Sequence, residues 1–285
     1  GADALWRAVG FPQIPHDERA FTDADIDALR SAIGLFDQLR LSPGVVLQQA
    51  RAMSQAAARI AAAHQDVLAE VSAEPAEAVG LAEGALPALD ALLVYLYRRH
   101  LLAAVEQTVR VAGDTPGAAV LTVGFADLTG FTARSQELDP QELADVVERF
   151  NGATADVIAA AGGRVVKTIG DEVMFTVADP GDGAAIALDL IDAISPETGY
   201  TQLRAGVASG AVVTREGDVF GPTVNLASRL VGAARPATVL VDPATADALG
   251  DDGRFKLSPT PALRLKGLGH VRPFRLRRAK INGGG

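Results

Sequence analysis

The sequence contains no cysteine and has no excess of positive charge. The absence of cysteine excludes disulfides and cysteine-ligated zinc sites, and it is typical of proteins in a reducing compartment. Lysine and arginine number 26 against 35 aspartates and glutamates, and the only dense basic run covers residues 275–280. Since nucleic-acid-binding proteins usually present a basic face, the composition disfavours a nucleic-acid partner. It predicts a cytoplasmic protein.

Uncharged apolar runs of membrane-spanning length and an N-terminal signal peptide are also missing. The most apolar stretch, residues 85–104, contains Asp90, Arg98, Arg99 and His100. Because such charges are costly inside a bilayer, we expect no transmembrane span, while peripheral membrane association stays open. The chain starts at Gly1 rather than Met, so we expect a processed or trimmed N-terminus with residues preceding it.

Composition divides the chain into two parts. Alanine and leucine dominate before residues 113–117, and valine, glycine and threonine become frequent after them. With 285 residues, of which 48% are apolar, two domains of modest size can each bury a core. We predict an all-helical domain over residues 1–113, whose last helix couples it to a second domain over residues 117–278.

Three helices are predicted in the N-terminal part. Thr22 followed by Asp25 predicts a capped first helix, Ser42 followed by Pro43 opens a second, and a third begins near Leu86. In the second and third helices, residues recur in alternating steps of four and three, the spacing of a heptad seam. The seams contain Val46, Ala50, Met53, Ala57, Ile60, His64 and Val67, and Leu86, Leu89, Leu93, Leu96, His100, Ala103 and Gln107.

Two of the four histidines, His64 and His100, fall on these seams. Protonation of a buried imidazole near pH 6 would place a charge in a helix interface and shift the helix packing. The alternative is a pair of ordinary half-buried histidines. The alanine-rich helices also leave a lipid-like ligand open, and the sequence names none.

The C-terminal part alternates strands and helices. Glycine and proline signals and periodicity predict strands at 119–125, 164–169, 172–177, 203–208, 211–214, 238–241 and 271–276, with helices at 140–160, 183–194 and 222–231. Gly170 and Asp171 form the tight turn of a hairpin. These elements predict an α+β fold, a mixed sheet with helices on one side.

Two acidic residues stand at predicted strand ends. Asp127 ends an apolar strand and precedes a turn through Gly130, and Asp171 lies at the hairpin tip. Carboxylates at adjacent strand ends can bracket a metal pair, and free backbone N–H groups in the turn can hold phosphates. The alternatives are an ordinary cap or turn residue for Asp127 and an ordinary polar hairpin tip for Asp171.

Asn225 and Arg229 are four residues apart on the helix predicted at 222–231, so they share one helix face. Arginine keeps its charge at any working pH, and the two side chains together can hold an anionic centre. The alternative is a solvent-exposed helix face.

Residues 123–132, 167–175 and 221–230 resemble the three signature blocks of class III nucleotidyl cyclases, in the same order and with matching separations. The resemblance covers residues 118–276 and implies a cyclase catalytic domain with a ferredoxin-like palm. Residues 5–22 are similar to the soluble mycobacterial type of adenylyl cyclase. That similarity implies that residues 1–113 are a regulatory domain, because in this type such a domain inhibits the enzyme and responds to acid.

The resemblance implies how metals and phosphates are held. Asp127, the carbonyl of Leu128 and Asp171 match the family's metal ligands, which bind two divalent cations per site, Mg²⁺ or Mn²⁺. The backbone through Phe131 and Thr132 matches the segment beside the phosphates.

The resemblance also implies an adenine site. Lys167 and Asp218 match the pair that reads the purine, and Asn225 and Arg229 match the transition-state pair. Guanylyl cyclases of this family tend to carry Glu and Cys where this chain has Lys and Asp. A lysine donor suits adenine N1 and an aspartate acceptor suits the adenine amino group, so ATP is favoured.

One segment departs from the family pattern. The C-terminal region often carries two lysines around a glycine, one of which contacts the triphosphate, and here only Lys266 remains. Lys266 or Arg272 are the two candidates for this contact.

The implied reaction is in-line attack of the ribose 3′-hydroxyl of ATP on the α-phosphorus, which yields cyclic AMP and pyrophosphate. The family builds each site from two subunits, and this chain carries every element, so a homodimer with two sites is implied. Two alternatives remain: a catalytically silent cyclase-like module for nucleotide binding or dimerisation, and a guanylyl cyclase. The Gly-Gly-acid-Glu-Phe turn of diguanylate cyclases is absent.

Overall fold

The computed structural model describes residues 7–10, 22–72, 74–111, 118–196, 200–250 and 252–279. By its internal contacts the chain forms two compact units, Gly1–Leu101 and Leu102–Gly285. The boundary predicted at residues 113–117 lies outside the described residues, as do residues 5–6 and 11–21 of the N-terminal similarity. The predicted domains, 1–113 and 117–278, therefore stay predictions.

From residue 22 onward, the described N-terminal residues form three helices: α1 (Asp23–Gln38), α2 (Pro43–Val71) and α3 (Pro75–Val111). The capping box predicted for α1 is confirmed, because the Thr22 side chain accepts from the Asp25 N–H and the Asp25 side chain accepts from the Thr22 N–H. Pro43 lies in the first turn of α2, although the Ser42 side chain makes no capping bond. The predicted start of α3 near Leu86 is wrong. Pro75 already occupies the first turn, and the helix continues through Pro87.

The predicted heptad seams are largely exposed within the single chain. Met53 and Val67 of α2 are exposed, as are Leu86 and Leu96 of α3. His64 is half-buried, whereas His100 is exposed. The assumption that both imidazoles are buried is therefore wrong for His100 within one chain.

Within α3, the segment Ala76–Glu106 is long and apolar enough to cross a membrane, with a mean hydropathy of 1.5. This criterion uses only length and composition, and none of the most apolar window is buried in the structure. It is weak support for a span, so the absence of a span stays a prediction.

The described strands of the C-terminal part are β1 (Ala118–Leu128), β2 (Arg164–Ile169), β3 (Glu172–Val177), β4 (Leu203–Arg215), β5 (Asp218–Phe220), β6 (Val239–Val241), β7 (Phe255–Pro259), β8 (Leu263–Leu265), β9 (Gly269–Val271) and β10 (Phe274–Arg278). Seven of them lie side by side in one sheet, in the order β2-β3-β1-β4-β6-β10-β7. Strand β4 pairs with β6 in parallel, and the other pairs in this order are antiparallel. Strand β5 also pairs with β4, and β8 and β9 form a separate hairpin.

The hairpin of β2 and β3 has the predicted bounds, and other strands differ from prediction. The strands predicted at 203–208 and 211–214 are one strand, β4, which pairs with β1 from Leu203 to Val213. The strand predicted at 271–276 is divided, because Pro273 lacks the N–H that a continuous ladder requires. Strands β5, β7 and β8 were not predicted.

Five helices accompany the sheet: α4 (Phe131–Arg134), α5 (Pro140–Ala160), α6 (Pro180–Ala193), α7 (Pro222–Ala233) and α8 (Pro243–Leu249). The bounds of α5 are those predicted, and its capping box at Asp139 and Glu142 fixes its start. Helix α8 was not predicted.

The helices cover both faces of the sheet, so the prediction of helices on one side is wrong. Helices α5 and α6 pack through Phe150 and Ile186 onto one face. Helix α7 packs through Ala227 and Val231 onto the other. The physical reason is that β1 is buried on both faces over most of its length, and a strand of that kind needs a cover on each side.

Gly206 sets the close approach of α7 to the sheet. A Cβ atom at this position would lie 2.3 Å from the Val231 backbone nitrogen and 2.6 Å from the Ala227 carbonyl oxygen. Backbone atoms cannot move aside as flexible side chains can, so only glycine allows this helix position.

We expect Gly206→Ala to lower the free energy of unfolding of the C-terminal unit by about 2–3 kcal/mol, because the added methyl group pushes α7 off the sheet. Urea denaturation measures the change. Gly232→Ala is the matched control on α7, since a Cβ there meets nothing within 4 Å. Equal stabilities of the two variants would contradict this account.

Candidate active site

The two predicted metal aspartates, Asp127 and Asp171, lie with Glu172 where β1 ends and β3 begins. These three residues form the acidic edge of the sheet. Strand β1 lies between β3 and β4, and Asp127 near its end pairs across the sheet with Glu172 and with Arg204. The next residue, Leu128, donates its N–H to the carbonyl of Asp171 over 3.2 Å. Gly170 has a φ of 63°, which closes the β2–β3 turn and brings Asp171 beside the end of β1.

Arg204 on β4 is a member of this site that the sequence analysis missed. Its Nε and Nη2 atoms lie 2.7 and 2.6 Å from the same carboxylate oxygen of Asp127. The Arg204 side chain is 31% exposed and that of Asp127 15%. An arginine near the start of an otherwise apolar strand was the available signal. The site therefore contains a cation that sequence spacing did not reveal.

Burial and neighbouring negative charge raise the pKa of two carboxyl groups at this edge, those of Asp171 and Glu172. Burial raises the pKa of Asp171, and the charge of Asp127 adds to this effect, while Arg204 opposes it. Burial raises the pKa of Glu172 to about 7, with further contributions from Asp127 and Asp171. Three acidic groups crowd one place, an arrangement that a bound cation would relieve.

This crowding predicts a pH-dependent stability. The unfolded Glu172 releases its proton near pH 4.5, whereas the folded residue keeps it up to about pH 7. The stabilising contribution is therefore complete below pH 4.5 and is lost as the pH rises to 7. In metal-free buffer, we expect the stability of wild type relative to Glu172→Gln to fall by about 1 kcal/mol between pH 4.5 and 7.5. Chemical denaturation at each pH measures this difference, and a constant difference would contradict the assignment.

The donor set fits hard divalent cations. Asp127, Asp171 and the backbone carbonyl of Leu128 offer only oxygen ligands, which Mg²⁺ and Mn²⁺ prefer. In the part of the chain that the structure describes, no group of three or more His, Cys, Asp or Glu side chains is placed to hold a metal ion. A cation at this edge would accordingly need further oxygens, and substrate phosphates can supply them.

The turn after β1 leads directly into α4. Gly130, with a φ of 76°, occupies the N-terminal position of this short helix. The Phe131 side chain is 8% exposed and packs into the core, so its backbone is the part available for contact with phosphates. Thr132 lies in the same turn, and its side chain is outside what the structure describes.

Lys167 and Asp218 form an ion pair, although 51 residues separate them in sequence. The Lys167 Nζ donates to one Asp218 carboxylate oxygen over 2.6 Å, and the Val219 N–H donates to the other over 2.8 Å. Burial by itself raises the pKa of Asp218. These hydrogen bonds and the charges of Lys167 and Arg164 outweigh it, so the pKa lies below its ordinary value. A donor and an acceptor thus stand side by side.

Asn225 and Arg229 both lie exposed on α7, while Thr223, Ala227 and Leu230 of that helix are buried. The predicted shared face is therefore present and points away from the core of its own chain. Among the described residues, no hydrogen bond or ion pair joins Asn225 or Arg229 to the acidic edge.

Comparison with protein-family models shows which family the chain belongs to. Residues 116–278 match the model of the adenylate and guanylate cyclase catalytic domain, which is more than half of the chain. The chain belongs to this cyclase family. Its solved relatives include the adenylyl cyclase CyaB from P. aeruginosa, which matches with a TM-score of 0.51 at 24% identity and covers 59% of this chain and 98% of CyaB. The class III cyclase fold that the sequence predicted is therefore confirmed.

Two curated relatives of this cyclase extend over nearly its whole length. An adenylate cyclase of Streptomyces coelicolor is 38% identical over 99% of this chain and 83% of its own length. A pH-sensitive adenylate cyclase of Mycobacterium tuberculosis is 35% identical over 98% of this chain and 74% of its own length. The predicted resemblance to the mycobacterial type is thereby confirmed, and it includes the N-terminal part.

The two candidates for a triphosphate contact occupy exposed positions of the cyclase. Lys266 lies in the turn between β8 and β9, and Arg272 lies between β9 and β10. Neither has a described contact with the acidic edge or with the Lys167–Asp218 pair. Arg204 is the basic residue found at the acidic edge of the same chain.

Proposed function

We propose that this protein is an adenylate cyclase, which converts ATP into 3′,5′-cyclic AMP and pyrophosphate. The observation that carries the proposal is the placement of Asp127 and Asp171 at one sheet edge, linked by the Leu128–Asp171 backbone hydrogen bond. The names of the Streptomyces and Mycobacterium relatives agree with it.

Each residue of the candidate site then has a defined role in the reaction. Asp127, Asp171 and the Leu128 carbonyl would hold two divalent cations, which when bound lower the pKa of the ribose 3′-hydroxyl and neutralise phosphate charge. The 3′-oxygen attacks the α-phosphorus in line, and pyrophosphate leaves. Arg229 offsets the negative charge that develops on the α-phosphate, and Asn225 orients the ribose. Lys167 donates to adenine N1, and Asp218 accepts from the adenine amino group.

The proposed sites are shared between two copies of the chain. Helix α7 turns Asn225 and Arg229 outward, while the acidic edge lies at the end of β1. A homodimer allows α7 of one copy to face the acidic edge of the other, and twofold symmetry then produces two equivalent sites. A single copy would hold two incomplete halves and be inactive.

Regulation through the helical N-terminal part, including a response to acid, is the finer part of the proposal. The printed name of the Mycobacterium relative supports it. Half-buried His64 is the better placed of the two candidate histidines. A cytoplasmic location also remains part of the proposal.

An activity assay tests the proposal directly. Purified protein is incubated with ATP or GTP and with Mg²⁺ or Mn²⁺, and cyclic products are measured from pH 5 to 8. Cyclic AMP in large excess over cyclic GTP is the expected result. A preference for GTP would instead support a guanylyl cyclase, which the family model also includes. Nucleotide binding without either product would support a silent module.

A further inference from the structure

A β-bulge in β2 gathers two cations on one side of the sheet. Val165 pairs with Phe175 and Lys167 pairs with Met174, so Val166 is an extra residue without a partner of its own in the ladder. In a regular strand, residues three apart point to opposite faces. Here Arg164 pairs with Thr176 and Lys167 with Met174, two partners that share a face. The bulge therefore puts Arg164 on the same face as Lys167.

Asp218 lies opposite these two cations. Lys167 bonds directly to its carboxylate, and the Arg164 Nη1 donates to the carbonyl of Gly217, the residue before it, over 2.9 Å. Burial lowers the pKa of Arg164 and the charge of Asp218 opposes this effect, so the two groups interact electrostatically.

The turn that Arg164 contacts is strained. Arg215 pairs with Asp218, which leaves a two-residue turn made of Glu216 and Gly217. Both have positive φ values, 54° and 79°. This is the pattern of a type I′ turn, and a residue with a side chain is strained at its first position. A strained turn persists when its surroundings hold it, and Arg164 on β2 supplies such a contact.

We propose that Arg164 is a positioning residue for purine recognition, which fixes the β4–β5 turn and keeps Asp218 in place while Lys167 binds the base. The inference rests on the proposed function, in which Lys167 and Asp218 read adenine. When Lys167 directs its N–H donors toward adenine N1, its hydrogen bonding to the Asp218 carboxylate weakens. The Arg164 guanidinium still holds the preceding Gly217 carbonyl and attracts the carboxylate electrostatically, so Asp218 stays placed to accept from the amino group.

The test compares Arg164→Gln with wild type on ATP and on purine riboside 5′-triphosphate, whose base keeps the N1 acceptor and has a hydrogen in place of the adenine amino group. We expect the KM for ATP to rise about 5–10-fold, with kcat changed less than about twofold. The preference for ATP over purine riboside triphosphate should fall by a similar factor, because that base has no amino group from which Asp218 could accept. Arg164→Lys keeps the charge and should recover part of the preference. Arg277→Gln, which removes an exposed arginine on β10, is the matched control.

A purely structural role would lower turnover of ATP and of purine riboside triphosphate in proportion, and that result would overturn the inference. Unchanged kinetics in Arg164→Gln would do the same. Should Arg164→Gln melt below the assay temperature, adding Glu216→Gly relieves the strained turn, and the double variant must then show the same loss of preference. Wild type is measured first. No cyclic AMP from wild type refutes the proposed function, whereas cyclic AMP with an unchanged preference in the variant refutes only the role of Arg164.

Discussion

Asp127→Asn and Arg229→Ala, each nearly inactive alone, should regain about a quarter of wild-type activity when mixed in equal amounts. Each single change should lower kcat by about 100-fold or more, because it removes a metal ligand or the charge that offsets the α-phosphate. In a mixed dimer, one site combines the intact acidic edge of one copy with the intact α7 of the other. Random exchange makes half of the dimers mixed, each with one working site of two.

A second mixture is the matched control for this result. Asp127→Asn and Asp171→Asn change the same half of the site, so neither site of a mixed dimer is intact and no recovery is expected. Mass measurement of the mixture shows whether subunits have exchanged. Exchange without recovery in the first mixture, or equal recovery in both, would show that the sites are not shared. The experiment therefore tests whether the exposed Asn225 and Arg229 of α7 serve the site of the other copy.

The double variant Lys167→Glu with Asp218→Cys should prefer GTP over ATP. Adenine offers an acceptor at N1 and a donor amino group, whereas guanine offers a donor at N1 and an acceptor carbonyl. Replacing the donor by an acceptor and the acceptor by a weak donor matches the guanine pattern. We expect kcat/KM for ATP to fall about 100-fold or more, because hydrogen-bonding sites reject bases that leave buried groups unpaired.

Cyclic AMP and cyclic GTP formation by this variant measure the preference, and thermal unfolding checks its fold. K167E alone is the informative control. It leaves two carboxylates where the structure has a 2.6 Å ion pair, so it should lose activity on both nucleotides. If the double variant kept the wild-type preference for ATP, Lys167 and Asp218 would not be the residues that read the base.

The sequence by itself determined the parts of the site that depend on local spacing. Gly170 and Asp171 between two short apolar runs predicted the β2–β3 hairpin with its observed bounds. Asp139 and Pro140 predicted the start of α5, because capping and proline geometry are decided within one turn. The four-residue step from Asn225 to Arg229 likewise fixed their common helix face, wherever that helix packs.

Only the tertiary structure decided which distant residues meet. The pairing of β1 with β4 brings Arg204 to Asp127, and no local pattern encodes a register between strands 77 residues apart. The bulge at Val166 places Arg164 beside Lys167, because an inserted residue reverses the strand's alternation and leaves no signal in composition. Helix α7 lies on its own face of the sheet because Gly206 lets its backbone approach. Propensity and periodicity act over a few residues, whereas register and packing depend on the whole chain.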